Sequence, residues 1–270
     1  MGICKLPQQI VVPSSGPPKG KSLNEYTWEE IDYISSNGLA SEYGFQAGDA
    51  KQVTLNGTVG SLTLNNYQTY AYIIGINHNA ELEGNNLIHF QVGKSALTGG
   101  VDIAFVDGDY GQGNMLTVFY MNATETNFGG WNNSYMRKTI CPAFKNILPA
   151  ALRNVLKSVT KYTDNTGNST SESAVTTTTD EIFLLAEYEV SGGVSFGNSN
   201  EKSKQAQYAY YSARNSKIKY QHSATGTASY WWLRSPSSSS SAYFVIVYSD
   251  GFPVNYSAYF SFGIAPCFCV

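Results

Sequence analysis

Charge is what this chain has least of. Only 14% of its 270 residues are Asp, Glu, Lys or Arg, against about a quarter in an ordinary globular domain. The formal net charge is −3 and no basic stripe is present, which argues against a nucleic-acid partner. Histidines are few: His78, His89 and His222. None lies at ligand spacing from another, so no metal is expected and each reads as structural or surface. GxSxG and GxxxxGK[ST] are absent, which removes the local signatures of acyl and phosphoryl transfer. No catalytic residue and no cofactor is assigned. Cys4, Cys141, Cys267 and Cys269 fit neither a disulfide framework nor a zinc site. Cys267 and Cys269, two apart on an expected strand, read as small buried hydrophobes on one face, with a metal or redox pair as the alternative. No apolar run approaches the roughly 18 residues of a membrane span, and the N-terminus has no signal-peptide h-region.

In place of charge the chain carries Ser, Thr, Asn, Gly and Tyr. Tyr supplies rigid contact area and Ser, Gly and Asn supply adaptable hydrogen bonds, the mixture used by antibody-like binding surfaces. Hydrophobic content is 42%, enough for a substantial core. Residues 1–22 read as a flexible Pro/Gly/Ser-rich leader and residues 23–270 as one domain. A helix is expected over 27–36, where Thr27 and Glu30 form a capping-box pattern ahead of Trp28, Ile31 and Ile34. From about 51 to 121 the pattern is of strands, with a hairpin turn at Asn56-Gly57. The acidic residues of DIAFVDGDYG read as a turn rather than a calcium loop. Helices are expected at about 133–157 and in NEKSKQAQYAYYSA. Residues 164–180 read as a polar connection, and IFLLAEYEV as a strand or a short helix. SYWWLRS, AYFVIVY, FPVNY and GIAPCFCV read as strands, with a turn at Asp250-Gly251. That order predicts an α+β fold with a mostly antiparallel sheet and flanking helices. Arg234, inside an aromatic strand, needs a buried partner. Trp131 and Arg137 read as aromatic packing and an ion pair.

The tail is the most informative stretch. Residues 235–270 contain no Lys, Glu, Gln, Met or Trp, and Asp250 is their only charged side chain. An asparagine codon mutated only at its adenines reaches none of those five residue types. The composition is therefore that of adenine-targeted diversification, or of an ordinary Ser- and Tyr-rich sheet end.

The segments GSLTLNNYQTYAYIIGINHNAELEGNNLIHFQVGK, NFGGWNNSYMRKTI, LPAALRNVLKSVTKYTDNTG, DEIFLLAEYEV, YWWLRSP, SDG and GIAPCFCV, over about residues 24–270, resemble a family of domains of unknown function found in gut Firmicutes and their phages, often in tail proteins. The resemblance implies a C-type-lectin-like fold of the formylglycine-generating-enzyme type, and the variable protein of a diversity-generating retroelement. Trp231, Trp232, Leu233, Arg234, Ser235, Pro236, Asp250, Gly251 and Gly263 would be fixed scaffold. Residues 235–262 would be the variable segment. Its expected ligand-binding residues are Ser237, Ser238, Ser239, Ser240, Ser241, Tyr243, Val245, Tyr248, Phe252, Asn255, Tyr256, Ser257, Tyr259 and Ser261. Strand alternation sends about half of such residues inward. The calcium-binding triplets of sugar-binding lectins are missing, so calcium-bridged sugar binding is not expected. The reading is receptor recognition or adhesion rather than enzymatic. The partner would be a host or target cell-surface protein or glycan, without membrane insertion. The chain would be displayed on a phage tail or a bacterial surface, as a homo-oligomer or attached to a larger assembly. A structural virion protein and a cysteine- or metal-dependent oxidase are the alternatives.

Overall fold

A computed structural model describes residues 16–97, 99–106 and 119–270. Residues 1–15 of the expected leader, the acidic turn from Asp107 onward and the rest of the expected strand region up to residue 118 lie outside the described residues. Residues 16–22 are tied down: Tyr43 donates to the Pro17 carbonyl at 2.8 Å and Tyr26 to that of Pro18 at 3.0 Å.

Helix α1 (Trp28–Ser36) starts where its capping box predicts. Thr27 Oγ1 accepts from the Glu30 amide at 3.1 Å, and Glu30 accepts from the Thr27 amide at 2.8 Å. Strands β1 (Ala50–Val59) and β2 (Leu62–Ile76) follow as an antiparallel hairpin. Its turn is at Gly60-Ser61, not at Asn56-Gly57, because Val59 pairs with Leu62. Asn56-Gly57 instead faces a bulge: the register shifts between Leu55 and Gly57, with Asn56 opposite Asn65 and Asn66 of β2, and Gly57 lies at φ +129 and Asn66 at φ +49. A bulge and a tight turn both ask for positive φ, so the dipeptide signals either.

After α2 (Ala80–Glu83) come β3 (Ile88–Val92) and the two-residue β4 (Ile103–Ala104). The helical region is broken into α3 (Gly130–Asn133), a π-turn at Met136–Ile140, α4 (Cys141–Ile147) and α5 (Ala150–Arg153). Strands β5 (Val159–Asp164) and β6 (Val175–Asp180) form a second hairpin. The expected polar connection is thus half strand: β-branched Val175 and the threonines pair along β5, with Val175, Thr178 and Asp180 buried. IFLLAEYEV divides into β7 (Ile182–Phe183) and α6 (Glu187–Ser191). The next stretch is a 3-10 turn at Ser199–Ser203 and the single turn α7 (Ala209–Ser212) rather than one helix. Then come β8 (Lys219–Gln221), β9 (Ala224–Ser229), β10 (Trp231–Pro236), β11 (Tyr243–Val247), β12 (Pro253–Ser257) and β13 (Cys267–Cys269).

The fold is α+β, with mostly antiparallel sheets and few helices. The largest sheet has the order β1-β2-β3-β13-β7; a second is β10-β11-β12, with β12 at its edge; among the described residues only the β4–β8 pairing joins named strands in parallel. The large sheet has two unlike faces. Ile73, Phe90, Phe268 and Ile182 lie in one row across it, and Trp28 of α1 packs edge-on against Phe90 and Phe268 at 5.5 and 5.9 Å. The neighbouring row is Tyr72, Gln91, Cys267 and Phe183. All four are fully buried although Tyr72 and Gln91 are polar. No described helix is long and apolar enough to cross a membrane.

Candidate functional site

Two polar clusters fill the buried face. In the first, Lys161 Nζ lies 2.6 Å from Glu83 and 3.0 Å from Glu189. Arg234 grips Glu189 with both terminal nitrogens, at 2.5 and 2.8 Å. It also donates to Thr163 Oγ1 and to the Leu184 and Tyr162 carbonyls. All four charged side chains are at least nine-tenths buried. Burial opposes ionisation of Glu189, but Arg234 and Lys161 override it and hold the carboxyl below its usual range. Burial pushes Glu83 up, with Lys161 pulling it back. His78, Glu83 and Glu189 bring ligand-type atoms within 4.8 Å of one another. Two of the three, Glu83 and Glu189, already bind Lys161, whose ammonium a metal ion would have to displace. Burial, then Lys161, hold His78 down to about 3, and its ring stacks on Tyr208 at 3.6 Å.

Cys269 Sγ lies 3.2 Å from His89 Nδ1, a spacing suited to a nucleophile and its base. Burial, however, raises the thiol well above its usual range and, with Lys161, drops the imidazole well below its own. The pair is therefore a neutral thiol beside a neutral imidazole, both with no exposed surface, and lacks the thiolate that chemistry needs. In the second cluster Lys219 donates to Tyr72 and Gln91 at 2.9 Å each, and Lys94 pairs with Asp102 at 2.8 Å. Burial brings Lys219 down to about 8, with Asp102 resisting. Arg137 and Trp131 both reach Asp180, at 2.6 and 3.1 Å. The partnered arginines and buried histidines and cysteines agree with the structural roles expected of them.

The C-terminal sheet is different. Trp231 to Pro236 are buried without exception. The serine-rich loop after them is held by its main chain. Asn127 Nδ2 reaches the carbonyls of Ser237, Ser240 and Tyr243 at 3.1, 2.8 and 2.9 Å. The Asn127 amide donates to Ser241 O, and the Ser238 amide donates to Phe196 O.

Of the fourteen expected ligand contacts, Ser237, Val245, Ser257 and Ser261 are buried. Ser237 instead accepts from Asn255 Nδ2 at 3.0 Å, and Val245 is enclosed because both faces of β11 are covered. Ser238, Ser240, Tyr243, Tyr248, Asn255, Tyr256 and Tyr259 are half-buried, and Ser239, Ser241 and Phe252 are exposed. A cavity of about 290 Å³ brings together Tyr243, Asn255, Tyr256 and the inner Ser257, with Glu125 and Phe260 completing its wall. Ser257 Oγ donates to Glu125 at 3.0 Å. Tyr256 is braced edge-on by Phe260 and Phe262, at 5.0 Å each. Ladder alternation puts Tyr243, Asn255 and Ser257 on one face and Tyr256 on the other; the cavity takes both because β12 is an edge strand. Tyr248 and Phe252 sit at the far end of the hairpin, about 16 Å away at strand rise. Sequence reasoning missed Glu125 and Phe260. Glu125 lies in an unmarked turn, and Phe260 looks like any other aromatic of the tail.

A larger cavity, about 600 Å³, is walled by Asn24, Tyr43, Phe45, Lys94 and Tyr210 among others. It also borders Leu97 and Gly99, whose shared neighbour lies outside the described residues, and its Lys94 is already paired with Asp102.

Residues 114–270 match the model of a family described as a domain of unknown function, DUF6273. The chain belongs to this family. No curated protein and no solved structure matches it. The DUF6273 match is shorter than the span over which the sequence resemblance was drawn, and it contains the whole cavity wall. It does not contain all of the core. β13 lies inside the match but pairs with β3 outside it, and Lys161, inside, is neutralised partly by Glu83, outside. The DUF6273 region and residues 50–92 therefore share one sheet and one charge balance.

Proposed function

We propose that this chain is a ligand-binding protein that recognises a cell-surface protein or glycan through the free edge of its C-terminal sheet. The observation that carries the reading is the 290 Å³ cavity rimmed by Tyr243, Asn255, Tyr256 and Ser257. It is a concave site lined by aromatic and hydrogen-bonding side chains, the make-up of an adaptable binding surface. The charged and nucleophilic groups of the core are paired and enclosed, which favours binding over catalysis.

On this reading the tail works as the variable segment of a diversity-generating retroelement product with a C-type-lectin-like fold, displayed on a phage tail or a bacterial surface. The division of labour supports it: buried Trp231–Pro236 would be scaffold, and the half-exposed positions after it would vary. Multivalent display would turn weak single sites into firm adhesion.

Deep amplicon sequencing of the gene from its source population tests the variable part. Substitutions should concentrate at Ser239, Ser241, Tyr243, Asn255, Tyr256 and Tyr259 and spare Val245 and Trp231–Pro236. A tail as constant as residues 51–121 would leave a fixed-specificity or purely structural protein as the better account. A screen of the protein against cell surfaces, with Tyr243→Ala as control, tests binding itself.

A further inference from the structure

The same cavity carries information about the charge of its ligand. Two segments of the chain build it, one containing Glu125 and one spanning residues 243–260. Residues 95–136 and 235–270, which include both, contain Asp102, Asp107, Asp109, Glu125 and Asp250 but no Lys or Arg. Glu125 is the only charged side chain among the described residues that line the cavity, so an anionic ligand would be set against a like charge. A neutral sugar wants donors as well as acceptors. Two side-chain donations at the cavity are already made: one N–H of Asn255 Nδ2 to Ser237 and Ser257 Oγ to Glu125. What remains, besides the tyrosine hydroxyls and the second N–H of Asn255, is carboxylate and amide oxygen together with the aromatic side chains of Tyr243, Tyr256 and Phe260. Aromatic rings attract cations through their quadrupole, and a carboxylate adds to the attraction.

Resting on the ligand-binding reading above, we infer that this cavity takes an alkylammonium group, of the choline or methylated-lysine kind. The cavity is at the small end for ligand sites, so it suits one headgroup and not a whole oligosaccharide. A guanidinium has five N–H donors to satisfy, more than the acceptors at hand can serve. An ammonium carrying methyl groups needs mainly ring surface and one negative charge.

The test is an NMR titration of the whole chain with choline, with Nε-trimethyl-lysine amide and with the carbon isostere of choline, in which carbon replaces nitrogen. Both cations should shift signals around Glu125, Tyr243 and Tyr256 and bind about tenfold more tightly than the isostere. Glu125→Gln, an exposed substitution, should weaken the cations about fivefold and leave the isostere unchanged. A preference between the two cations separates a choline-bearing from a lysine-bearing source. Equal binding of cation and isostere, or no effect of Glu125→Gln, overturns the inference. It also falls if neither cation binds while the protein still binds a cell surface in a Tyr243-dependent way; in that case the ligand-binding reading survives it. Silence in the titration together with no cell-surface binding removes both.

Discussion

Replacing Arg234 by Met removes the cation that holds Glu189 and leaves the shape of the side chain largely filled. Arg234 makes five hydrogen bonds, two of them to Glu189 and the rest to Thr163 Oγ1 and the carbonyls of Leu184 and Tyr162. Without it, Glu83 and Glu189 share the single ammonium of Lys161 in a fully buried setting. Breaking a buried ion pair from one side costs about 3–5 kcal/mol, a large part of the roughly 5–15 kcal/mol that holds a domain together. The loss should shrink in acid, because one carboxyl can then take up a proton; Glu83, already pushed upward by burial, is the one to do so. The diagnostic partner is Arg234→Met/Glu189→Leu. If the damage comes from the stranded carboxylate, removing it as well should restore about 2 kcal/mol relative to the sum of the single changes. Urea unfolding followed by tryptophan fluorescence reads both quantities, since Trp231 and Trp232 adjoin the site. A loss below about 1 kcal/mol at neutral pH, or strict additivity in the double variant, would refute the argument that this charge balance holds the core.

Burial raises Glu201 from 4.5 to about 7, against bonds from the Asp164 amide, Ser235 and Gln205. The folded chain keeps a proton that the unfolded chain has lost between those values, so this group's contribution to stability falls as pH rises through the window. Glu201→Gln should be worth about 3 kcal/mol more at pH 8 than at pH 4.5, read from urea midpoints at the two pH values. His78 acts in the opposite sense: held down to about 3 from 6.5, it stays neutral when folded, so stability is lost as pH falls below 6.5, and His78→Phe should flatten that acid limb. Gly57→Ala places a Cβ 2.8 Å from Ile147 Cγ2 at a φ of +129; a cost of about 1–3 kcal/mol is expected in thermal or urea unfolding. In a Cys4→Ser background the native protein should resist thiol reagents at Cys141, Cys267 and Cys269, all buried with raised pKa values, and label at all three once unfolded. Rapid labelling of Cys269 in native buffer would mean that the Cys269–His89 pair is accessible after all.

Much of the local structure was legible because local rules decide it. The capping box of α1, the strand at Trp231–Pro236 and the turn before Phe252 all follow from neighbours a few residues apart. The need of Arg234 for a partner was also legible, but its identity was not. Glu189 lies 45 residues back and Thr163 71 back, and nothing in either neighbourhood points toward Arg234. The missed strand β6 shows a second limit. A run of threonines looks solvent-bound by polarity, yet β-branching suits it to a ladder, and pairing with β5 decided the matter. Lys161 and Lys219 are the clearest case. A lone lysine reads as surface, and only the fold reveals that carboxylates or a tyrosine–glutamine pair await each. On the C-terminal face, alternation anticipated that some tail residues would point inward. It did not say which, because β11 is covered on both faces and its partner β12 only in part.

The loop between Pro236 and Tyr243 is fastened by Asn127 and Phe196 through backbone atoms alone in four of its bonds to Asn127 and one to Phe196. Carbonyl and amide groups are the same whatever side chain the residue carries. The path of this loop is therefore largely indifferent to its own spelling: Ser239 or Ser241 could be exchanged for a larger or a charged residue while the fasteners stay where they are. Asn127, outside the serine run, bears the constraint instead. Novelty at the rim and constancy of the frame are thus assigned to different stretches of the gene, and a single asparagine is where tolerance to change in one depends on its absence in the other.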